Sequence, residues 1–395
     1  MRGPNGAGTA AFVVAIGLDK NENGQLITTF QIANPEVGTS LLGTTTQEEQ
    51  ASEIVSIAAN DIFSVKNMAN AFVSRQIVFS HLRIIIVSEE LARSEDFPSL
   101  MYSLVREREL RRSINLMVTK ERAETFIKKN KPILETRPHK YYQLMIQRAT
   151  QNGLVPKSDL LHYYRVTEAN ESLFLAMYAS LDQRPPQTGS IDEDAHYAGD
   201  IAARGDVSAQ LTGAAVFRKG RMIGTMTGEE TRLSLLLNET APPMNLIVTM
   251  KDPLRSGFRI PIKVTDTSKP RLTMDLHGDP PTIRAELKMD LEIVTIPSMI
   301  DYSGDLEKQK LLRESLEAEI ESLMAAMIEK TQKEFKGEPF EWGLTARRHF
   351  LTDAGFRAYG WMERYPEMKI ECKVHVNLTK FGLQLRTPNI RKLEE

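Results

Sequence analysis

The stretch Ser80-His81-Leu82-Arg83-Ile84-Ile85-Ile86-Val87-Ser88-Glu89-Glu90-Leu91-Ala92-Arg93 decides the fold class of this chain. Residues 82–87 form an apolar, largely β-branched run, which is typical of a strand that is buried on both faces. Ser88 can cap a helix directly after that strand, and Glu89 and Glu90 would stand in its first turn, where carboxylates suit the positive helix end. The stretch therefore predicts a buried strand that leads straight into a helix.

The residues around this stretch complete a first predicted domain, residues 10–129. Two extended runs, residues 12–18 and 25–32, flank a segment of turn residues and indicate a hairpin. Apolar residues recur at helical spacing over residues 54–72, which predicts an amphipathic helix. A further strand is expected at residues 114–118, and a strand–helix–strand crossover of this length favours parallel pairing.

A middle domain is predicted over residues 130–243, with Lys131-Pro132 as its first boundary. Its expected elements are a helical region, a strand, a hairpin and a short helix, at residues 139–166, 172–180, 208–226 and 227–237. Residues 183–205 are rich in proline, glycine and acidic side chains and lack apolar periodicity. That composition predicts a mobile loop.

A third domain is predicted over residues 244–395, and its main feature is a long helix at residues 304–336. The expected strands lie at residues 246–250, 259–264, 271–276, 282–294 and 369–378. An apolar stripe along the helix favours packing on a sheet, and binding to a partner remains the alternative. The whole pattern predicts an α+β protein of three domains, each a mixed β-sheet surrounded by α-helices.

The composition of the 395 residues excludes several function classes. The net charge is −2 and the few basic clusters lack aromatic partners, so no nucleic-acid interface is expected. One cysteine cannot form an internal disulfide, and the seven histidines include no pair at the spacing that binds zinc. The common nucleophile, phosphate-binding and dinucleotide-binding motifs are absent from the sequence. We therefore predict no catalytic residue, no metal and no cofactor.

The single cysteine, Cys372, lies in a stretch of alternating apolar and polar residues. It shares the apolar side with Ile370 and Val374, so a half-buried strand is predicted with Cys372 on its inner face. A buried thiol reacts slowly, and we expect a structural role for this residue.

Several motifs, taken in order, resemble the C subunit of the germinant receptors of endospore-forming bacteria, the Ger(x)C family. They are the opening hairpin, the strand-to-helix stretch, a hairpin followed by Gly228-Glu229-Glu230-Thr231-Arg232, the long charged helix and the element from Trp361 to Pro366. The resemblance covers nearly the whole chain. It implies three domains, each a sheet surrounded by helices, and no enzymatic activity.

The resemblance also implies a lipoprotein that acts in spore germination on the outer face of the spore inner membrane. Its partners would be integral membrane receptor subunits, and a signal peptide with a lipidated cysteine would lie upstream of Ala10, outside this chain. The soluble part is expected to be monomeric. Two alternatives remain open: an extracytoplasmic protein that binds a small solute, and a hydrolase whose acid and base meet only in the fold.

A protein without catalytic activity must act by binding partners through its surface. Polar residues on rigid elements are well suited to such binding, because the elements hold them in fixed positions. We predict a partner surface at Arg313 and Glu317 on the long helix and at Arg347 and Arg348 after it.

Overall fold

The computed structural model describes residues 10–34, 52–135, 137–183, 195–203 and 209–382. These residues form two β-sheets, one of nine strands and one of five, with helices packed on both. Each sheet contains parallel and antiparallel pairs. The predicted α+β class with mixed sheets is confirmed.

The strands of the first sheet are Ala10–Lys20 (β1), Leu26–Ala33 (β2), Ser52–Ala59 (β3), Gln76–Val78 (β4), Ile84–Ser88 (β5), Asn115–Thr119 (β6), Phe174–Ser180 (β7), Gln210–Arg218 (β8) and Arg221–Met226 (β9). Their order is β3-β2-β1-β5-β6-β7-β8-β9, and β4 also pairs with β1. Pairing is parallel from β1 to β7 and antiparallel toward both ends. The apolar run at residues 82–87 therefore leads into the central strand β5, and all five residues of β5 are buried.

Helices cover both faces of this sheet. They are Ile62–Ala69 (α1), Glu89–Ala92 (α2), Phe97–Leu104 (α3), Ala123–Lys129 (α4), Pro138–Gln151 (α5), Leu160–Ala169 (α6) and Gly228–Leu237 (α7). As predicted, Ser88 caps α2, since its Oγ accepts the Leu91 N–H at 3.4 Å. Asp19 at the end of β1 caps α4 by accepting the Ala123 and Glu124 N–H groups, each at 2.8 Å. Strand ends thus position the helices of the first sheet.

The first two predicted domains share one sheet, which corrects the expectation of a separate sheet for each. Strand β6 of the first region pairs in parallel with β7 of the middle region, with Met117 opposite Met177. Residues between these strands form the three crossover helices α4, α5 and α6. The expected boundary at Lys131-Pro132 lies within this crossover, between α4 and α5. A proline there does not separate two domains, because proline marks the end of a helix as readily as the end of a domain. The division into three domains stays a prediction.

The helix predicted over residues 54–72 is wrong in its first half. Residues 52–59 form β3, which pairs antiparallel with β2, and α1 begins only at Ile62. Asp61 sets this start, since its Oδ1 accepts the N–H groups of Phe63 and Ser64, both at 2.9 Å. The Ile-rich segment has strand propensity, and pairing with β2 decided its conformation.

The second sheet contains Leu246–Lys251 (β10), Arg259–Thr267 (β11), Arg271–Asp275 (β12), Thr282–Ile293 (β13) and Lys369–Phe381 (β14). Its order is β10-β11-β13-β12, and β14 runs parallel to β13. The helices of this region are Leu306–Lys330 (α8), Gly343–Ala346 (α9), Asp353–Tyr359 (α10) and Trp361–Arg364 (α11). A π-helical turn, Thr331–Phe335, extends α8 to nearly the predicted end of the long helix.

Helix α8 packs on the second sheet through an apolar stripe, as the sequence favoured. The buried residues of the stripe are Leu312, Leu316, Ile320, Met324, Met327 and Ile328. They belong to a core that also takes in Leu173 and Leu175 of the first-sheet region, together with Val216 of β8. The two sheets therefore share one continuous hydrophobic core.

Cys372 alternates with its neighbours in β14 as predicted, but it is half-buried rather than fully buried. Burial raises the pKa of its thiol to about 12, and the nearby carboxylates of Glu321 and Glu371 act in the same direction. The thiolate, which is the reactive form, is therefore scarce at neutral pH.

The predicted mobile loop, residues 183–205, lies partly outside the described residues. The described part, residues 195–203, packs against β8. Ala198 is 1% exposed, and the Gln210 side chain accepts the Gly199 N–H at 2.9 Å and donates to the Ile201 carbonyl at 2.6 Å. Mobility of the rest stays a prediction.

Gly213 tests how closely β8 packs against the end of β9. It has a φ of +87°, and a Cβ there would lie 2.3 Å from the Met226 carbonyl oxygen, whereas Gly257 has a φ of +85° with nothing within 4 Å. Both alanine variants incur the left-handed strain, so Gly213→Ala should cost about 1–3 kcal/mol more than Gly257→Ala because its strand pair must shift. Urea unfolding of the two variants measures the difference. Equal losses would contradict the close contact.

Candidate functional site

The four residues of the predicted partner surface have different surroundings. Arg313 lies on the exposed side of α8, and Arg348 is exposed directly after α9. Arg347 is also exposed, but its guanidinium pairs with two carboxylates. One is Glu171, before β7, at 3.2 Å, and the other is Asp353 at the start of α10. Arg347 therefore ties two parts of the chain together, while Arg313 and Arg348 stay accessible.

Glu317 holds the outer edge of β14. Its Oε1 accepts the Val376 N–H at 2.9 Å, and Glu321, one helical turn later, accepts the Val374 N–H at 3.0 Å. Among the described strands β14 pairs only with β13, so these N–H groups would otherwise face an open edge. Glu317 therefore stabilises the fold as well as facing the surface.

Residues 337–343, here called the docking segment, fasten the second sheet to the first. The Leu173 N–H and the Ser172 Oγ both donate to the Glu338 carbonyl, each at 2.7 Å. At the end of the segment the contact is so close that a Cβ on Gly343 would lie 2.3 Å from the Glu171 carbonyl oxygen. Only glycine fits at this point, so the sequence itself permits the docking.

Aromatic residues anchor the docking segment in the shared core. Trp342 and Phe340 are fully buried, and their ring centroids lie 4.6 Å apart. The Trp342 indole N–H donates to the Leu237 carbonyl at the end of α7, at 2.8 Å. The polar end of a buried tryptophan is thus satisfied, and the docking segment also contacts α7.

Glu338 is a fully buried carboxyl within the docking segment. It accepts the Phe340 N–H at 2.6 Å and the Gly343 N–H at 3.0 Å. Burial raises the pKa of Glu338 to about 8, against the opposing effect of these N–H donors. Its carboxyl is therefore largely protonated at neutral pH, and it holds the turn of the docking segment from within.

Glu341 forms an ion-pair clamp with α6. Its carboxylate faces His162 Nε2 at 2.7 Å and Arg165 Nη2 at 2.8 Å, one partner for each oxygen. Burial opposes ionisation of Glu341, but the hydrogen bonds from His162 and Arg165 outweigh it and lower its pKa to about 2. The residue has a φ of +58°, which is uncommon outside glycine and is held by these contacts.

The clamp lines a groove of about 380 Å³ between α6, the end of α7 and the docking segment. Lys157 and Asp159 before α6 add charge, and Leu235 and Pro242 add an apolar wall. A histidine beside a carboxylate is one half of an arrangement that activates a nucleophile. Here Arg165 takes the second carboxylate oxygen, so the observed geometry is that of a structural clamp.

Two features are absent from the residues that the structure describes. No group of three or more histidine, cysteine, aspartate or glutamate side chains converges there as a metal site would require. No helix in the same ranges has both the length and the apolar character needed to cross a bilayer.

The docking segment and its two glutamates were not predicted from the sequence. The signal was present: two glycines enclose a proline and an alternation of acidic and aromatic residues, directly after a long helix. Glycine and proline mark a turn, and buried aromatics mark an anchor. The partners on α6, however, lie about 180 residues away in the chain, with a sequence separation of 179 for His162 and Glu341.

Comparison with known proteins gives the family. The model described as the spore germination protein N-terminal domain matches residues 9–179, and the one described as spore germination B3/GerAC-like, C-terminal, matches residues 212–382. The chain belongs to the Ger(x)C family of spore germination proteins. The predicted resemblance is confirmed.

This Ger(x)C chain is similar to one curated protein in sequence and to one solved structure in fold. The spore germination protein KC of Bacillus subtilis (strain 168) is 27% identical over 162 residues. That alignment spans 40% of this chain and only 40% of the relative's length. The crystal structure of the GerBC protein superposes with a TM-score of 0.56 at 15% identity, over 92% of this chain and 96% of that one. At this identity the second likeness concerns the fold alone.

Replacing Glu317 should reveal its role at the sheet edge. Glu317→Ala removes the acceptor of the Val376 N–H and should lower the free energy of unfolding by about 1–3 kcal/mol. The control is Glu314→Ala on the exposed side of the same helix, which should change it by less than about 0.5 kcal/mol. Urea unfolding measures both, and similar values for the two variants would argue against the edge contact.

The raised pKa of Glu338 predicts a pH dependence of stability. The folded state keeps a proton that the unfolded state releases above about pH 4.5, so the free energy of unfolding should fall as pH rises toward about 8. The decline contributed by this group is up to about 1.4 kcal/mol per pH unit. Glu338→Gln lacks the titration and should have a flatter profile in urea unfolding between about pH 5 and 8. Parallel profiles would mean that Glu338 is not protonated in the folded protein.

Proposed function

We propose that this chain is the non-enzymatic C subunit of a nutrient germinant receptor, needed for spore germination through assembly with integral membrane receptor subunits. The observation that carries the proposal is the match of both family models, in order, over residues 9–179 and 212–382. The similarity to spore germination protein KC supports the same function.

We also propose attachment to the outer face of the spore inner membrane through a lipid on a cysteine upstream of Ala10. The family resemblance is the support for this location. Its test is the sequence encoded upstream of this chain, which should contain a signal peptide that ends in a lipidation cysteine.

The proposal of a non-enzymatic role rests on how the strongly perturbed carboxyl groups are used. Glu338 binds N–H groups of its own segment, and Glu341 binds His162 and Arg165 with one oxygen each. Both groups are occupied in holding the fold. The hydrolase alternative predicts turnover in a broad hydrolase assay that disappears with His162→Ala, and such a result would replace the proposal.

The accessible part of the partner surface lies at Arg313 and Arg348. Both side chains are exposed and stand on elements that are packed into the second-sheet core. Arg347 and Glu317, the other two predicted positions, also hold the fold, through Glu171 and Val376. Changes at the first two positions therefore separate assembly from stability better than changes at the other two.

Charge reversal tests this surface. Arg313→Glu and Arg348→Glu should each change the free energy of unfolding by less than about 0.5 kcal/mol, because exposed substitutions rarely do more. Each should weaken co-purification with the membrane subunits and slow germination. The control is Arg106→Glu, an exposed reversal that follows α3 in the first sheet region.

Two different outcomes would contradict the proposed surface residues and the proposed function. If both variants assemble and germinate like Arg106→Glu, the partner surface lies elsewhere on the chain. If spores that lack the chain entirely germinate normally with every nutrient tested, the proposed function itself is wrong.

A further inference from the structure

An apolar cavity of about 120 Å³ lies between α7, α8 and the strands β10 and β11. Leucine, valine and isoleucine side chains form most of its wall, among them Leu233 and Leu236 from α7, Val248 and Ile262 from the sheet, and Ile320 from α8. Protein interiors contain few voids larger than a water molecule. A space of this size in an otherwise continuous core is therefore a distinct feature of the fold.

The wall determines what can occupy the cavity. A buried water needs two to four polar partners, and the leucine, valine and isoleucine side chains of the inner wall offer none. In another protein an engineered apolar cavity of roughly 150 Å³ stays dry and binds benzene or xenon. The volume and chemistry here fit one aromatic ring or a branched alkyl group.

Charged residues mark the side of the cavity that reaches solvent. Lys251 is exposed, and Glu319 and Arg259 are partly exposed. Arg259 is held there by its Nη2, which donates to the Thr249 carbonyl at 2.6 Å, and Arg232 Nη1 donates to the Ile247 carbonyl at 3.4 Å. An apolar interior behind a polar rim is the usual construction of a small-molecule site.

The cavity also lies beside α7, the helix that joins the two sheets along the chain. Helix α7 packs on β8 of the first sheet, and its Ser234 lies between the sulfur atoms of Met226 in β9 and Met327 in α8, at 3.6 Å from each. The opposite walls belong to the second sheet. Met250 and Met289 line the cavity as well, and the flexible methionine side chain adapts readily to a ligand. A molecule in the cavity would contact α7, which packs on the first sheet, and strands of the second sheet.

We propose that this cavity is a binding site for a small apolar molecule, about the size of a single aromatic ring. The site is independent of the proposed assembly with membrane subunits, since it lies inside the chain. Binding there stabilises the packing of α7 on the second sheet, because the ligand fills a void whose walls come from α7, α8 and strands of the second sheet.

Toluene is a suitable probe, and the test uses the whole chain with isotope-labelled methyl groups. Addition of toluene should raise the Tm in a concentration-dependent manner. The methyl resonances that shift should be those of wall residues such as Leu236, Val248 and Ile320. Absence of shifts at these methyls near aqueous saturation would overturn the proposal, whatever happens to the Tm.

Two neighbouring substitutions make the test specific. Val248→Phe fills the cavity and should weaken toluene binding at least tenfold. Ile247→Phe is the control, because Ile247 is 58% exposed and points to the other face of β10. Equal binding by the two variants would overturn the proposal. If Val248→Phe does not fold, the methyl shifts of the unmodified chain decide the question alone.

Discussion

The docking of residues 337–343 on the segment before β7 is the contact on which the arrangement of the two sheets depends. The Glu338 carbonyl accepts two hydrogen bonds from residues 172 and 173, and Gly343 allows the backbones to touch. Trp342 and Phe340 then continue the apolar core from one sheet to the other. Without this contact, α8 and the second sheet would be joined to the first sheet mainly through α7, which leads into β10.

Buried carboxyl groups hold several of these junctions by accepting backbone N–H groups. Asp19 does so at the start of α4, and Glu338 does so within the docking segment. Burial raises the pKa of both groups, and their hydrogen bonds offset part of that effect. Glu341 differs because two cationic or hydrogen-bonding side chains reach it, and its pKa falls instead. Whether a buried acid is neutral or charged is thus set by its partners and not by burial alone.

Helix α8 carries surface residues that also stabilise the fold. Its apolar stripe covers the second sheet, and Glu317 and Glu321 on its flank accept the edge N–H groups of β14. An edge strand that is covered in this way does not offer its backbone to another chain. The sequence pattern placed Glu317 correctly outside the apolar stripe, but the hydrogen bond to Val376 depends on how the helix lies across the strand.

The sequence by itself determined the elements whose signals are local. The run at residues 82–87, the Ser88 cap, the opening hairpin and the long helix all follow from composition, spacing and capping chemistry, and the order of the motifs was enough to indicate the family. Tertiary structure decided the conformation of residues 52–59, which became a strand because β2 was available to pair with it. It also decided that β6 and β7 share one sheet, and that Glu341 meets His162 across 179 residues of sequence. These contacts join positions that are far apart in the chain, and no local preference specifies which distant partner a strand edge or a carboxylate will find.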